Sequence, residues 1–330
     1  MFWGQPKMAS TDLVPTPTLL NDRYQVVRIL EDCPWSTAWL AEDTHLPSRR
    51  QCIIRQVKPL TTDADIQTQL CDRIRAEIDT WQKLGGIHDQ IPWVSSFTDT
   101  QGQIYLIEEW VPGLTLTQAI QAKGALDEVK VRDILAKLLS LVDYLHQNQV
   151  VHCALEPSSI LLRQADHKPV LQYGGMLNRV IANTLLAHNI QPIPWISISG
   201  FFPHEQVVLD RYSSSNNLYS LGLIGIYLLT GKHPYHMFNL TTETYEWHQE
   251  TLLTNSAFAA ILNKAIAPCP SERFVTASQM LAAGAISATV PHCLLYSDTA
   301  DECLSTFLLT EFEPLRSRKS SPILFWVKTT

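Results

Sequence analysis

Charge is scarce in this chain, and what there is leans acidic. Only 17% of the 330 residues are Asp, Glu, Lys or Arg, and 32 acidic against 25 basic residues give a formal net charge of −7. A dedicated nucleic-acid binder carries the opposite bias, so that class is set aside. The short basic runs, Arg49-Arg50 and Arg316-Ser317-Arg318-Lys319, read as solvated surface. Paired cysteines are lacking too. The seven cysteines, at 33, 52, 71, 153, 269, 293 and 303, never form a Cys-x-x-Cys pair, and their number is odd. They read as reduced thiols of a cytoplasmic protein, with no disulfide framework and no metal cluster among them. Long hydrophobic runs are missing as well. The best one, Leu218 to Thr230, covers about a dozen residues and contains two glycines. It is too short to span a bilayer and suits a buried helix. The opening Met-Phe-Trp-Gly-Gln-Pro-Lys lacks the basic-then-apolar order of a signal peptide. A soluble chain with no membrane insertion is expected.

What is present is enough apolar residue, 45%, for a sizeable core. Residues 1–20 carry three prolines and little periodicity, which predicts a flexible N-terminal arm. Short β-rich runs bounded by turn formers follow: Tyr24–Leu30, Ala38–Glu42, Gln51–Val57, Val94–Thr98 and Ile104–Glu109. Between them, Ile66, Leu70, Ile74, Ile78, Trp81 and Leu84 fall on one helical face. After Pro112-Gly113 the pattern turns helical, over 126–147, 218–229, 242–250, 257–265 and 276–285. A strand-rich lobe followed by a larger helical one is an α+β layout. The expected division is 1–20 arm, 21–112 small lobe, 113–285 large lobe and 286–330 a C-terminal extension. The extension ends in Pro322-Ile-Leu-Phe-Trp-Val-Lys328, read as a strand or docking segment.

Several stretches occur in an informative order. They are Leu20-Asn-Asp-Arg-Tyr24, Leu40-Ala-Glu-Asp-Thr-His45, Val150-Val-His152, Lys168-Pro-Val-Leu171, Phe202-Pro-His-Glu-Gln206, Tyr219 through Pro234, and Pro270-Ser-Glu-Arg-Phe274. In that register they resemble the landmarks of the protein kinase family, and most of all bacterial, cyanobacterial-type Ser/Thr protein kinases. The resemblance covers roughly residues 20–285 and implies a bilobal kinase-like fold.

At these landmarks the implied chemistry departs from the family. The glycine-rich loop becomes Glu31-Asp-Cys-Pro-Trp-Ser36, with no glycine and two carboxylates where phosphates would lie. The phosphate-holding lysine falls at Arg55 and its helix partner at Glu77. An Arg55–Glu77 ion pair that shapes the fold is the favoured reading, with a weak nucleotide contact as the alternative. In the catalytic loop the base aspartate becomes Ala154, the phosphate-contacting lysine Glu156 and the metal-holding asparagine Ser159, and Cys153 replaces an arginine. The metal-binding aspartate becomes Gln172, or Tyr173 under a one-residue shift, and neither is a carboxylate. An alanine cannot accept a proton, and an amide is no substitute for a carboxylate toward Mg²⁺. Structural residues survive: His152 as a packed residue, and Glu205 with Arg273 as a buried ion pair. Asn217 replaces a bracing aspartate, so the brace is expected to be weaker or different.

The resemblance therefore implies a pseudokinase that is not an enzyme, with no catalytic residues, no metal site, and ATP and Mg²⁺ bound weakly or not at all. Its expected role is a scaffold or allosteric regulator of a protein partner, such as an active kinase or a larger complex. Two alternatives are a metal-independent nucleotide sensor and an atypical transferase. The histidines of His233-Pro-Tyr-His236 read as surface residues. Cys153 beside His152 lacks a third orienting group and does not read as a nucleophile. Trp35, at the tip of the altered loop, is the aromatic residue placed to fold down into a vacated pocket.

Overall fold

Asn21 and Asp22 take left-handed backbone, with φ of 51° and 50°, a conformation that Asn and Asp tolerate better than most residues. This turn opens a six-stranded antiparallel sheet in the computed structural model, which describes residues 19–188, 190, 200–209, 211–251 and 256–283. Its strands are β1 (Leu19–Leu20), β2 (Tyr24–Cys33), β3 (Ser36–Asp43), β4 (Gln51–Val57), β5 (Val94–Thr98) and β6 (Ile104–Glu109). They lie in the order β1-β2-β3-β4-β6-β5. Two register shifts in the β2–β3 pairing, at Val26/Arg28 and Ile29/Glu31, are the irregularities that bend a ribbon. Arg23 grips Asp43 with both guanidinium arms, at 2.8 and 2.6 Å, and fixes the start of β2 to the end of β3.

The helix expected over the next segment is α1 (Ala64–Gln82). Asp63 caps it by accepting from the Asp65 and Ile66 N–H groups. Leu70, Cys71, Ile74, Ile78 and Trp81 form its buried face. That face is the helix periodicity seen in the sequence, and it packs against β5.

The second lobe holds β7 (Gly113–Thr115), α2 (Leu116–Lys123), α3 (Glu128–Gln147), β8 (Ile160–Arg163), β9 (Pro169–Leu171), α4 (Gly174–Ala187), α5 (His204–Leu209) and α6 (Ser214–Thr230). The hairpin β10 (Phe238–Asn239) and β11 (Thr244–Tyr245), then α7 (Ser256–Ala265) and α8 (Ala277–Ala282), follow. Strands β7, β8 and β9 form a small sheet of their own. Helix α6 is buried on every side from Asn216 to Thr230. Its two glycines admit its neighbours: a Cβ at Gly222 would meet Ile266 and Ala265 at 2.8 and 2.9 Å, and one at Gly225 would meet Leu135 at 2.9 Å. Among the described residues no helix is long and apolar enough to cross a membrane.

Several segments differ from their predicted form. The 242–250 stretch is not a helix but the β10–β11 hairpin and a short 3₁₀ turn at His248–Glu250. Asn239 accepts from the N–H groups of Thr241 and Thr242, and Glu243 sits at φ 53°, so local turn chemistry wins over a weak apolar period. Conversely, the sequence pattern assigns no helix to α2, α4 or α5. Residues 1–18 of the predicted arm, the extension 286–330 with its Pro322–Lys328 segment, and Cys293 and Cys303 lie outside the described residues.

Candidate functional site

The loop between α3 and β8 is built around buried polar groups. His152 is 1% exposed, its Nδ1 accepts from the Ala154 N–H at 3.3 Å, and its ring stands edge-on to Trp81. Burial pushes its pKa down to about 3, so the ring is neutral and packed. Asn217, at the start of the buried stretch of α6, accepts from the His152 N–H at 3.1 Å and donates to the His152 carbonyl at 2.6 Å. It also lies 3.0 Å from His146 Nε2. Of the two outcomes expected, a weaker or a different brace, the geometry shows a different one: an amide carries both a donor and an acceptor, and both are used on one residue's backbone.

The positions of altered chemistry converge on the same loop. Ala154 is 5% exposed. The Ser159 hydroxyl accepts from the Glu156 N–H at 3.1 Å and has the carbonyls of Ala154 and Glu156 at 3.0 and 2.9 Å, so it is spent inside the loop. Glu156 accepts from the Ser158 hydroxyl at 2.5 Å. Gln172, half-buried, ties its backbone N–H to the Ser159 carbonyl at 2.8 Å. Gly175, in the first turn of α4, rests on this floor: a Cβ there would come within 3.2 Å of Ser159 Cβ and 3.5 Å of Ala154 Cβ. The two metal-holding positions, Gln172 and Ser159, offer an amide and a committed hydroxyl and no carboxylate, a donor set unlike the carboxylate and phosphate oxygens that Mg²⁺ takes. Among the described residues no group of three or more His, Cys, Asp or Glu is gathered for a metal.

Helix α4 is anchored across both lobes. Arg179, 7% exposed, donates to the Tyr212 hydroxyl at 2.7 and 2.9 Å and to the Gln206 carbonyl at 3.0 Å. The Gln206 amide in turn donates to the Cys153 carbonyl at 2.8 Å. On the other lobe, Trp35 turns inward to 7% exposure and donates its indole N–H to Asn178 at 2.9 Å. His188 Nε2 lies 3.0 Å from the Gln69 side chain of α1.

Arg55 does not pair with Glu77. Its guanidinium donates to Glu31 at 2.6 Å, with Ser36 Oγ at 3.3 Å, because β2 and β4 flank β3 in the sheet and bring the two side chains together. Glu77 is left half-buried, and desolvation pushes its carboxyl up. Beside Arg55 lies a carboxyl that was not singled out from the sequence. Glu108 is 7% exposed and accepts from the Tyr173 N–H at 2.7 Å. Burial raises its pKa to about 7, against the pull of Tyr173 and Arg55. Its signal was the two-residue period of β6: Ile104 and Leu106 point into the main core, and Glu108 shares their face. Glu205 and Arg273 are joined as the family landmarks implied, at 2.6 and 3.3 Å, with the Arg273 side chain 1% exposed. Arg273 also donates to the carbonyls of Ala267 and Pro268, at 2.7 and 2.9 Å.

A curled antiparallel sheet followed by a helical lobe that holds this loop and the Glu205–Arg273 pair defines a bilobal kinase-like domain. The protein kinase domain family matches residues 45–284, and the chain belongs to that family. It is similar to serine/threonine-protein kinase PknA of Nostoc sp., 37% identical over 83% of this chain and 50% of the relative. Serine/threonine-protein kinase C of Synechocystis sp. is 34% identical over 79% of this chain and 49% of the relative. The chain thus spans about half the length of these curated relatives. A solved structure titled "PpkA-294 apo form" shares the fold, with a TM-score of 0.66 and 18% identity over 83% of this chain and 99% of the other.

These relatives correct the expectation of a non-enzyme. Proteins 34–37% identical over 79–83% of the chain are named Ser/Thr protein kinases, which points to an enzyme. The replaced side chains show which groups are absent at the family's landmarks, not which other group, such as the Glu156 carboxylate, could take a role.

Proposed function

We propose that this Ser/Thr kinase-family domain works in the cytoplasm as a protein-binding regulator of a partner such as another kinase or a larger complex. ATP and Mg²⁺ are held weakly or not at all in its lobe cleft. The observation that supports this reading is the seating of α4: Gly175 lies against Ala154 and Ser159, where a cation and a substrate hydroxyl would need room. Capture of partners from the native cell, repeated with saturating Mg·ATP and with a chelator, tests it. The expected result is the same partner at the same yield in both. A partner gained or lost with Mg·ATP, or a rise of many degrees in the unfolding midpoint on adding it, would refute the reading.

A second reading, Ser/Thr phosphoryl transfer, is favoured by the names of the relatives. On this scaffold the proton acceptor would have to be a group other than position 154, and Glu156 is the carboxylate in the loop. Transfer of labelled γ-phosphate that disappears in Glu156→Ala would support it. A signal indifferent to that substitution would count against Glu156 as the base.

A further inference from the structure

The β10–β11 hairpin stands where the sequence pattern predicts a helix, and it lines a groove of about 680 Å³ on the large lobe. The lining joins Phe238, Leu240 and Tyr245 of the hairpin to Tyr219 of α6 and to Ile266 and Pro268 beyond α7. Buried anchors hold the hairpin in place. Trp247 and Met237 are buried, the Trp247 indole donates to Asn263 at 2.9 Å, and the Tyr219 and Tyr245 hydroxyls lie 3.2 Å apart. Yet the turn carries Leu240 at 80% exposure, and Phe238 is exposed beside it. Large apolar side chains on a firmly held turn, next to an apolar groove, are surface that a partner would remove from water.

Charge decides which partner the groove suits. From His233 to Asn263 the chain has three glutamates, Glu243, Glu246 and Glu250, and no aspartate, lysine or arginine. Glu250 pairs with Lys232, and Glu246 accepts from the Asn239 amide at 2.6 Å. Glu243, exposed on the groove lining, has no ion pair among the described residues. Arg273, the cation on the lining, is buried and spent on Glu205 at 2.6 Å, and His204 is the imidazole there. An apolar surface with uncompensated acids repels a second copy of an acidic chain and attracts a cationic segment. We propose that this groove docks a basic, apolar segment of a partner protein. Its aliphatic side chains cover Leu240, Phe238 and Tyr245, and its arginines or lysines meet Glu243 and Glu246. The inference rests on the regulator reading and gives its partner a chemistry. The groove shares no lining residue with the loop of Ala154 and Ser159, so a groove that binds nothing would leave that reading intact.

Fluorescence anisotropy of labelled synthetic peptides, titrated with the full chain without nucleotide, provides the test. A peptide of alternating arginine and leucine is expected to bind saturably, about tenfold tighter than arginine–serine or glutamate–leucine peptides of the same length. Leu240→Ser and Glu243→Gln, both at exposed positions, should each weaken it severalfold, and together by about tenfold. Leu240→Met should keep the affinity, and Glu42→Gln, an equal loss of charge on β3, should change nothing. Self-association that Leu240→Ser abolishes would make a second copy the occupant and overturn the proposal. An arginine–serine peptide that binds as tightly as arginine–leucine would also overturn it, since that marks a diffuse pull by an acidic chain. So would a glutamate–leucine peptide that binds as tightly, or an affinity that neither groove variant alters.

Discussion

The Asn217 side chain holds both polar groups of the His152 backbone, accepting from its N–H and donating to its carbonyl at 3.1 and 2.6 Å. Both residues are about 1% exposed. Neither backbone group has water as a substitute partner, so the brace links the large-lobe helix to the loop that shapes the cleft.

Asn217→Asp separates the two halves of that brace. The carboxylate still accepts from the His152 N–H, but it cannot donate to the carbonyl and it places a charge in a buried site. A loss of about 1–3 kcal/mol is expected, the usual cost of an unsatisfied buried group. Asn217→Leu, which loses both bonds, should cost at least as much. Urea unfolding of the three proteins decides it. An aspartate variant as stable as the native chain would mean that the His152 carbonyl finds another donor.

Restoring a carboxylate at position 154 should harm the fold. The Ala154 methyl is buried under the first turn of α4, where a Cβ on Gly175 would already come within 3.5 Å of it. Overpacking costs typically about 1–3 kcal/mol, and burying an unpaired carboxylate adds to it. The unfolding midpoint of Ala154→Asp is therefore expected to fall by several degrees. Ala154→Gly should cost less. An aspartate variant with an unchanged midpoint would show that α4 readily leaves the loop.

The sequence was legible where one regular pattern governs a segment. The face of α1 was read from its apolar period, and Glu205 with Arg273 from the family's landmarks. It was opaque where a side chain chooses between partners that only the fold brings together. Arg55 was matched with the acid on α1, and the strand order handed it Glu31, from the neighbouring hairpin. Helix α4 escaped notice because its residues, Gly174 to Ala187, begin with two glycines that argue against a helix, while tertiary anchors such as Arg179 and Asn178 hold it in place. The 242–250 stretch failed the other way, because Asn239 organised a turn that periodicity does not register.

Glu108 should give the fold a pH dependence of definite sign. Its pKa is near 4.5 in an unfolded chain and is raised to about 7 when folded. Below 4.5 the carboxyl is protonated in both states and costs nothing. Between roughly 4.5 and 7 the unfolded chain ionises first, so the folded state binds more protons and stability falls as pH rises. The full effect is on the order of 3 kcal/mol, since each tenfold change in proton affinity is worth about 1.4 kcal/mol. Other groups titrate too, so the comparison is with Glu108→Gln, which can still accept from the Tyr173 N–H. Denaturant titrations at pH 5, 6, 7 and 8 should show the glutamine variant gaining on the native chain as pH rises. Parallel curves would show that Glu108 is not buried as a charge-sensitive group.

Glu205→Ala should be the most damaging of these substitutions. It leaves the Arg273 guanidinium, 1% exposed at its side chain, with carbonyl acceptors but no counter-charge. Breaking a buried pair from one side typically costs about 3–5 kcal/mol, because the remaining charge stays desolvated. Glu205→Gln keeps an acceptor for Arg273 and should recover part of the loss. Removing both charges, in Glu205→Gln with Arg273→Met, should be milder than Glu205→Ala alone, since no uncompensated ion is then buried. Urea unfolding of these three variants beside the native chain ranks them. If Glu205→Ala costs less than about 1 kcal/mol, the range of exposed pairs, then solvent reaches Arg273 and the pair is no anchor for the start of α5.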